Sequence, residues 1–265
     1  MFKALYCEML KLANCAMTLL DKTYSVSIVI PIYNEEKRIR NTISRILEYF
    51  QKKSITYELI IVDDGSTDGS LSAIKEICSG KDINLHFLHN IKNMGKGYSV
   101  KRGAMFSRGD IVLFTDADLS VSIEEYDKLE KSILEENYDI AFGSRGLKES
   151  RKIVAQSFVR DRLGKLFGVF VRALILQDVM DSQCGFKAFT KEAAQVIFYW
   201  QTIYRFGFDP ELLYIAKCNN FRYKEIPVSW KNDFDSKLNL LTSPFIMGLE
   251  LLKIKIKSML GHYSI

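Results

Sequence analysis

The sequence predicts an α/β fold, a mostly parallel sheet flanked by helices. Two tandem units of strand, polar loop and amphipathic helix open the recognisable part of the chain, and three of its β-prone runs end in acidic residues. Tandem units of this kind need crossover connections, which make the sheet parallel and gather the strand ends into a ligand crevice. A chain of 265 residues, 48% hydrophobic and 26% charged, is ample for one such domain with additions.

The elements follow in order. Ser25 to Pro31 is β-branched and alternating, a first strand that Pro31 should close because proline donates nothing to a ladder. After the polar loop Ile32-Tyr33-Asn34-Glu35-Glu36, residues Ile39, Ile43, Ile46, Leu47 and Phe50 recur at helical spacing, so a helix is expected from Glu36 to about Gln51. The unit then repeats. Tyr57 to Val62 is a strand, Asp63 to Asp68 a turn, and Leu71, Ile74, Ile77 and Cys78 line a second helix with Asp68 as N-cap.

Leu85 to Leu88 is a third strand, and Asn93-Met94-Gly95-Lys96-Gly97 opens a helix ending near Gly109. Asp110 to Phe114 is a buried strand closed by Thr115-Asp116-Ala117-Asp118-Leu119, followed by a charged helix over Ile123 to Glu136 and a strand from Tyr138 to Phe142. Beyond Ser150 one long helix crowds Phe158, Leu163, Leu166, Phe167, Phe170, Val171, Leu174 and Ile175 beside Arg160, Arg162, Lys165 and Arg172, a mixture suited to a lipid surface, with a core helix as the alternative. Asp209 should cap a helix with Pro210 at its first position, Tyr223 to Trp230 is a last strand, and Leu241 to Leu260 mixes apolar residues with Lys253, Lys255 and Lys257. The expected organisation is a leader over 1–24, a catalytic domain over 25–238, and a membrane-associating amphipathic helix over 239–265.

The net charge of +5 suits phosphate ligands or an anionic membrane but is too small, without aromatics in a basic stripe, to indicate nucleic acid. Cys7, Cys15, Cys78, Cys184 and Cys218 are odd in number and form no C-x-x-C pair, which favours free thiols in a reducing compartment. His86 and His89 fall on opposite faces of their strand and are not expected to share a metal. No run of about 18 uncharged apolar residues exists to span a membrane.

The chemistry concentrates at strand ends. Asp116 and Asp118 lie one residue apart in an extended segment, so both face one ion only if the chain turns between them; the expected division is that one binds a metal and the other holds a sugar or ribose hydroxyl. An ion such as Mg²⁺ needs only one or two carboxylates when diphosphate oxygens and water complete its shell. Asp63 and Asp64 stand at a neighbouring strand end, where an acceptor-only carboxylate suits a ribose hydroxyl or a base N–H. Lys96 and Gly97, at a helix start, suit a diphosphate through a point charge and close backbone approach.

Taken together and in this order, Ile28 to Glu36, Val62 to Asp68, Asn93 to Gly97 and Asp116-Ala117-Asp118 resemble the GT-A fold glycosyltransferases of family 2. The later Gly143-Ser144-Arg145, Asp181 to Lys187, Phe208 to Leu213 and Trp230 to Leu238 are similar to the dolichyl-phosphate β-glucosyltransferase branch, with dolichyl-phosphate mannosyltransferases as near cousins. That resemblance implies a Rossmann-like nucleotide-diphospho-sugar transferase. In it Pro31, Tyr33, Glu35 and Asp64 cradle the nucleotide, and Asp118, helped by Asp116, holds Mg²⁺ or Mn²⁺. Arg145 and Arg160 bind the acceptor phosphate, and Ser236 and Lys237 close the site. The family often has Gln after Asp-Ala-Asp-Leu; this chain has Ser120, which leaves the metal's outer shell open.

The implied reaction is an inverting displacement in which a polyprenyl (dolichyl-type) phosphate attacks a nucleotide sugar, with UDP-glucose favoured by the Asp181 to Lys187 run over GDP-mannose and UDP-N-acetylglucosamine. Rival readings are a transferase acting on a sugar hydroxyl, with Asp181 as its base, and a non-catalytic nucleotide-sugar scaffold. The expected location is the cytoplasmic side, peripherally on a membrane face.

Overall fold

The computed structural model describes residues 24–80, 83–154, 158–231 and 243–263, with side chains omitted at 154, 158–161, 163 and 243–245. The expected leader therefore lies, apart from Tyr24, outside the described residues, as do Cys7, Cys15, Ser236 and Lys237.

The frame is a seven-stranded sheet of β1 (Val26–Ile32), β2 (Tyr57–Asp63), β3 (Leu85–His89), β4 (Ile111–Thr115), β5 (Ile140–Ser144), β7 (Phe186–Thr190) and β8 (Tyr223–Pro227), in the order β3-β2-β1-β4-β7-β5-β8. All neighbours run parallel except β7, which is antiparallel to both β4 and β5. A second, two-stranded parallel sheet pairs β6 (Arg151–Val154) with β9 (Ser229–Lys231). The order reverses between β1 and β4, the position at which open parallel sheets leave a crevice at their carboxyl ends.

Every residue of β1 is buried, because helices cover both faces of the sheet. On one face Ile28 and Ile30 meet Ile39, Ile43, Ile46 and Phe50 of α1 (Glu36–Lys53), and the same core takes in Ile74 of α2 (Ser70–Cys78) and Leu129 of α4 (Tyr126–Leu134). On the other, Val29, Ile60 and Val62 share a core with Val100 of α3 (Lys96–Phe106), Val171 of α5 (Phe158–Leu174), Ile197 of α6 (Lys191–Trp200), Leu212 of α7 (Phe208–Cys218) and Leu251 of α8 (Ser243–Met259).

Several expectations need correction. Pro31 lies inside β1, not at its end: from Pro31 onward β1 pairs only with β2, its pairing with β4 ending at Val29↔Phe114, so the missing N–H breaks no ladder there. The span Ile123 to Glu136 is a short 3-10 turn (Ile123–Glu125) followed by α4, and Tyr223 to Trp230 divides between β8 and β9. Strand β7 begins within the Asp181 to Lys187 run, at Phe186, and helix α6 follows it, where neither was expected. Asp68 stands one residue outside the cap of α2, yet its Oδ1 still accepts from the Ser70 N–H at 3.0 Å.

Candidate active site

The loops after β1 and β2 are stitched together. Asn34, at φ 53°, accepts the Thr67 N–H on its Oδ1 (2.8 Å), while its own N–H donates to Ser66 Oγ (2.8 Å). The Glu35 N–H donates to Ser70 Oγ at 2.7 Å, and the Glu35 carboxylate pairs with Arg38. Pro31 is buried in β1 beneath this rim and Tyr33 is half-buried on it.

Asp63 and Asp64 both tie loops of the scaffold. Asp63 is fully buried, accepting from the Ser66 N–H and meeting His89 Nδ1 at 2.7 Å. Asp64, 3% exposed, takes Asn90 Nδ2 (2.8 Å) and the Met94 N–H (2.9 Å) on Oδ1 and the Gly95 N–H (2.8 Å) on Oδ2. Three donors on one carboxylate fix the turn that carries Lys96 and Gly97. Gly95 sits at φ 105°, and a Cβ there would lie 2.4 Å from the Tyr204 carbonyl oxygen, so only glycine fits.

At the end of β4 the chain does turn. The Leu119 N–H donates to the Asp116 carbonyl at 3.2 Å, and Leu119 adopts φ 45°, so Asp116 and Asp118 are neighbours across one turn instead of pointing to opposite faces. Asp118 accepts the Ser120 N–H at 2.8 Å. Burial, and then the Asp116 charge, push its carboxyl above the usual range. Asp116 Oδ1 is buried without a hydrogen bond of good geometry, and the Lys96 ammonium faces it at 2.6 Å. Burial opposes the charge on Lys96, but Asp116, Asp209 and Asp118 outweigh it and hold the amine above the ordinary lysine range.

Gly185 closes the other side. Its carbonyl accepts the Asp116 N–H, and a Cβ on it would lie 2.1 Å from Asp116 Oδ2. Beneath it, the fully buried Lys187 bonds to the Cys184 carbonyl and to Asp209, so Asp209 is not the helix cap expected; α7 is capped by Gly207, whose N–H goes to Glu250 at 2.9 Å. The Asn90 and Lys187 ties were not foreseen, since each joins residues whose proximity depends on the fold.

Arg145 and Asp181 find each other. The guanidinium donates from Nε to Oδ2 (2.7 Å) and from Nη2 to Oδ1 (3.0 Å), and the Arg145 N–H adds a third bond at 3.0 Å. Burial alone would raise the Asp181 carboxyl, but the Arg145 charge and bonds override it and hold it below the usual range. Nη1 is the amino group Asp181 does not engage. Burial pushes the adjacent Cys184 thiol up to about 12. Arg160 lies in α5 with its side chain outside the described residues.

Among the described residues no three His, Cys, Asp or Glu side chains cluster to hold a metal by themselves. Asp116 and Asp118 nonetheless fit a divalent ion whose other ligands come from a diphosphate: they share a turn, and a buried carboxylate oxygen is left with only a cationic neighbour.

α5 and α8 pack side by side and are apolar on both faces. Phe167, Val171, Met247, Leu251 and Ile254 face the core, while Leu166, Val169, Phe170, Leu249, Leu252 and Ile256 are about half exposed. No described helix is long and apolar enough to cross a membrane.

The glycosyl transferase family 2 model matches residues 27–198. A dolichyl-phosphate beta-glucosyltransferase of Mus musculus is 36% identical over 92% of this chain and 78% of its own length, and one from Trichomonas vaginalis is 33% identical over 94% and 78%. Two solved structures share the fold. Glucosyl-3-phosphoglycerate synthase of Mycobacterium tuberculosis, crystallised with Mn²⁺ and UDP-glucose, has a TM-score of 0.62 at 17% identity, covering 89% of this chain and 78% of its own. Mannosyl-3-phosphoglycerate synthase of Rubrobacter xylanophilus has a TM-score of 0.65 at 14% identity, covering 89% and 74%.

Proposed function

Because the chain belongs to glycosyl transferase family 2 and is a glycosyltransferase of GT-A fold, we propose that it transfers glucose from UDP-glucose to a polyprenyl phosphate of the dolichyl type, with inversion. The acceptor and sugar are supported by the names of the curated relatives, and a uridine donor by the UDP-glucose held in a protein of the same fold.

The observation that carries the reading is the Asp116–Asp118 turn at the sheet's switch point, with a buried carboxylate oxygen aimed at a cation. Bound between these carboxylates, Mg²⁺ or Mn²⁺ would neutralise charge on the leaving diphosphate. Around it the chain supplies position: the β1 and β2 loops, with Pro31, Tyr33 and Glu35, take the nucleoside, and the turn braced by Asp64 presents Lys96 and Gly97 to the diphosphate. Asp63 serves by shaping its loop.

Arg145, oriented by Asp181, offers its remaining amino group to the acceptor phosphate, with Arg160, Ser236 and Lys237 proposed beside it. A phosphate monoester, with a second pKa of about 6, is already anionic at neutral pH and needs no strong base. The state of Asp181 favours this acceptor over a sugar hydroxyl: a carboxylate in a bidentate ion pair, with its pKa lowered, is a poor base.

The exposed apolar faces of α5 and α8, carrying Lys165, Lys253 and Lys255 at solvent, suit the surface of a membrane on its cytoplasmic side, where the lipid acceptor lies. The test is transfer of labelled sugar from UDP-glucose, GDP-mannose and UDP-N-acetylglucosamine into organic-extractable polyprenyl phosphate. Label should enter the organic phase from UDP-glucose far faster than from the others. Transfer only to water-soluble hydroxyl acceptors contradicts the proposal.

A further inference from the structure

The donor-site reading assigns Lys96 to the diphosphate, yet its ammonium sits on Asp116 Oδ1 at 2.6 Å, the position a divalent ion would take. The placement is held from three sides. The ammonium lies 5.3 Å from the Phe114 ring centroid and 6.0 Å from that of Phe208, two aromatic faces that attract a cation. Asp209 adds its field, and Lys96 leads a helix whose start is pinned by Asp64 through the Met94 and Gly95 N–H groups.

Resting on that reading of the site, we propose that Lys96 is a resident cation that occupies the metal position at Asp116 and leaves it only when a metal and a diphosphate arrive together. A bare divalent ion must displace a charged, partly buried amine from Asp116, its direct ion-pair partner, and set a second positive charge beside it, which is costly in a partly desolvated site. A metal accompanied by a diphosphate provides that counter-ion, since the displaced ammonium gains phosphate oxygens one side-chain rotation away. Metal and nucleotide therefore bind with positive coupling, and by linkage each strengthens the other equally. The consequence is selectivity: the site disfavours free metal and metal-free UDP and takes the metal–nucleotide complex. Lys96 is thus a positioning and selecting residue for the donor.

The test is Mn²⁺ binding followed by electron paramagnetic resonance, first without nucleotide and then with UDP, in the wild-type chain, Lys96→Met and Lys96→Arg, each checked for folding by circular dichroism. Lys96→Met should bind Mn²⁺ alone about tenfold or more tightly than wild type, because the competing charge is gone. The same substitution should shrink the enhancement of Mn²⁺ affinity by UDP. Lys96→Arg, which keeps the charge, should leave Mn²⁺ alone as weak as in wild type. Unchanged or weaker Mn²⁺ affinity in folded Lys96→Met overturns the proposal, as does equal tightening in Lys96→Arg. The metal-only comparison contains no nucleotide, so it can fail while wild type still binds UDP with Mn²⁺, which leaves the donor reading standing. Wild type that takes up no UDP under any metal condition overturns both.

Discussion

The two halves of the site are built by opposite means. On the donor side polar side chains bind one another and backbone N–H groups across loops: Asn34 to the Thr67 N–H, Asp64 to Asn90 and to the Met94 and Gly95 N–H groups, Lys96 to Asp116. On the far side, beyond the bidentate Arg145–Asp181 pair, the dominant feature is two adjacent helices with apolar side chains on their outer as well as their inner faces. A rigid, polar, pre-formed rim suits a small anionic ligand from water, since little ordering cost remains at binding. An apolar face left in solvent suits a ligand that arrives in a lipid surface.

The contrast can be broken residue by residue, starting where the effect should be largest. Asp118→Asn should reduce sugar transfer by about a thousandfold or more while leaving the circular dichroism spectrum unchanged, as expected when a metal-binding carboxylate is removed from a site that works by charge stabilisation. Gly185→Ala tests the same carboxylates from the neighbouring strand. Its methyl would meet the end of the Asp116 side chain, which can swing aside, so the fold should survive while metal-dependent UDP affinity falls roughly tenfold in calorimetry.

Gly95→Ala attacks the rim itself, because both its φ of 105° and the Tyr204 carbonyl oppose a Cβ; thermal unfolding should report a loss of roughly 3 kcal/mol. Asp181→Asn should cost less, about 2 kcal/mol, since the pair it breaks is partly solvated. Its pH dependence has a definite sign. The folded-state pKa of Asp181 is lowered, so its contribution is present at neutral pH and fades as pH falls through the folded value; the stability gap between wild type and variant should narrow below about pH 4. The smallest effect on stability belongs to the outer apolar face. Phe170→Ser with Leu249→Ser should shift stability by less than about 0.5 kcal/mol at each position yet weaken binding to anionic phospholipid vesicles roughly tenfold, as measured by flotation.

The donor half was the more legible in sequence. Its strands announce themselves by β-branched runs, and their acidic ends by position, so β1, β2, β4 and the place of Asp116 and Asp118 follow from local pattern, whereas the turn that makes the two carboxylates neighbours comes from the backbone at Leu119. What pattern could not supply is partnership at long range. Nothing in the local pattern marks Lys187, at the end of a polar run, as fully buried on Asp209, and Asp209 itself reads as a helix cap until that buried amine is brought beside it. Asp64 reads locally as a nucleotide ligand, and pattern alone does not show that it also takes three donors from a loop some thirty residues away and so braces the turn that carries Lys96. Strand β7 was missed for a related reason. It runs antiparallel between two strands of a parallel sheet, so it belongs to no βα repeat that a reader could extend.

The central claim is that Asp116 and Asp118 hold a divalent ion on the diphosphate of a nucleotide sugar. Calorimetric titration of UDP into the wild-type chain and Asp118→Asn, with Mn²⁺ present and with chelator, addresses it directly. The prediction is saturable binding by wild type that requires Mn²⁺ and weakens about a hundredfold or more in Asp118→Asn. Equal UDP affinity with the metal removed, or in the Asn variant, would contradict it.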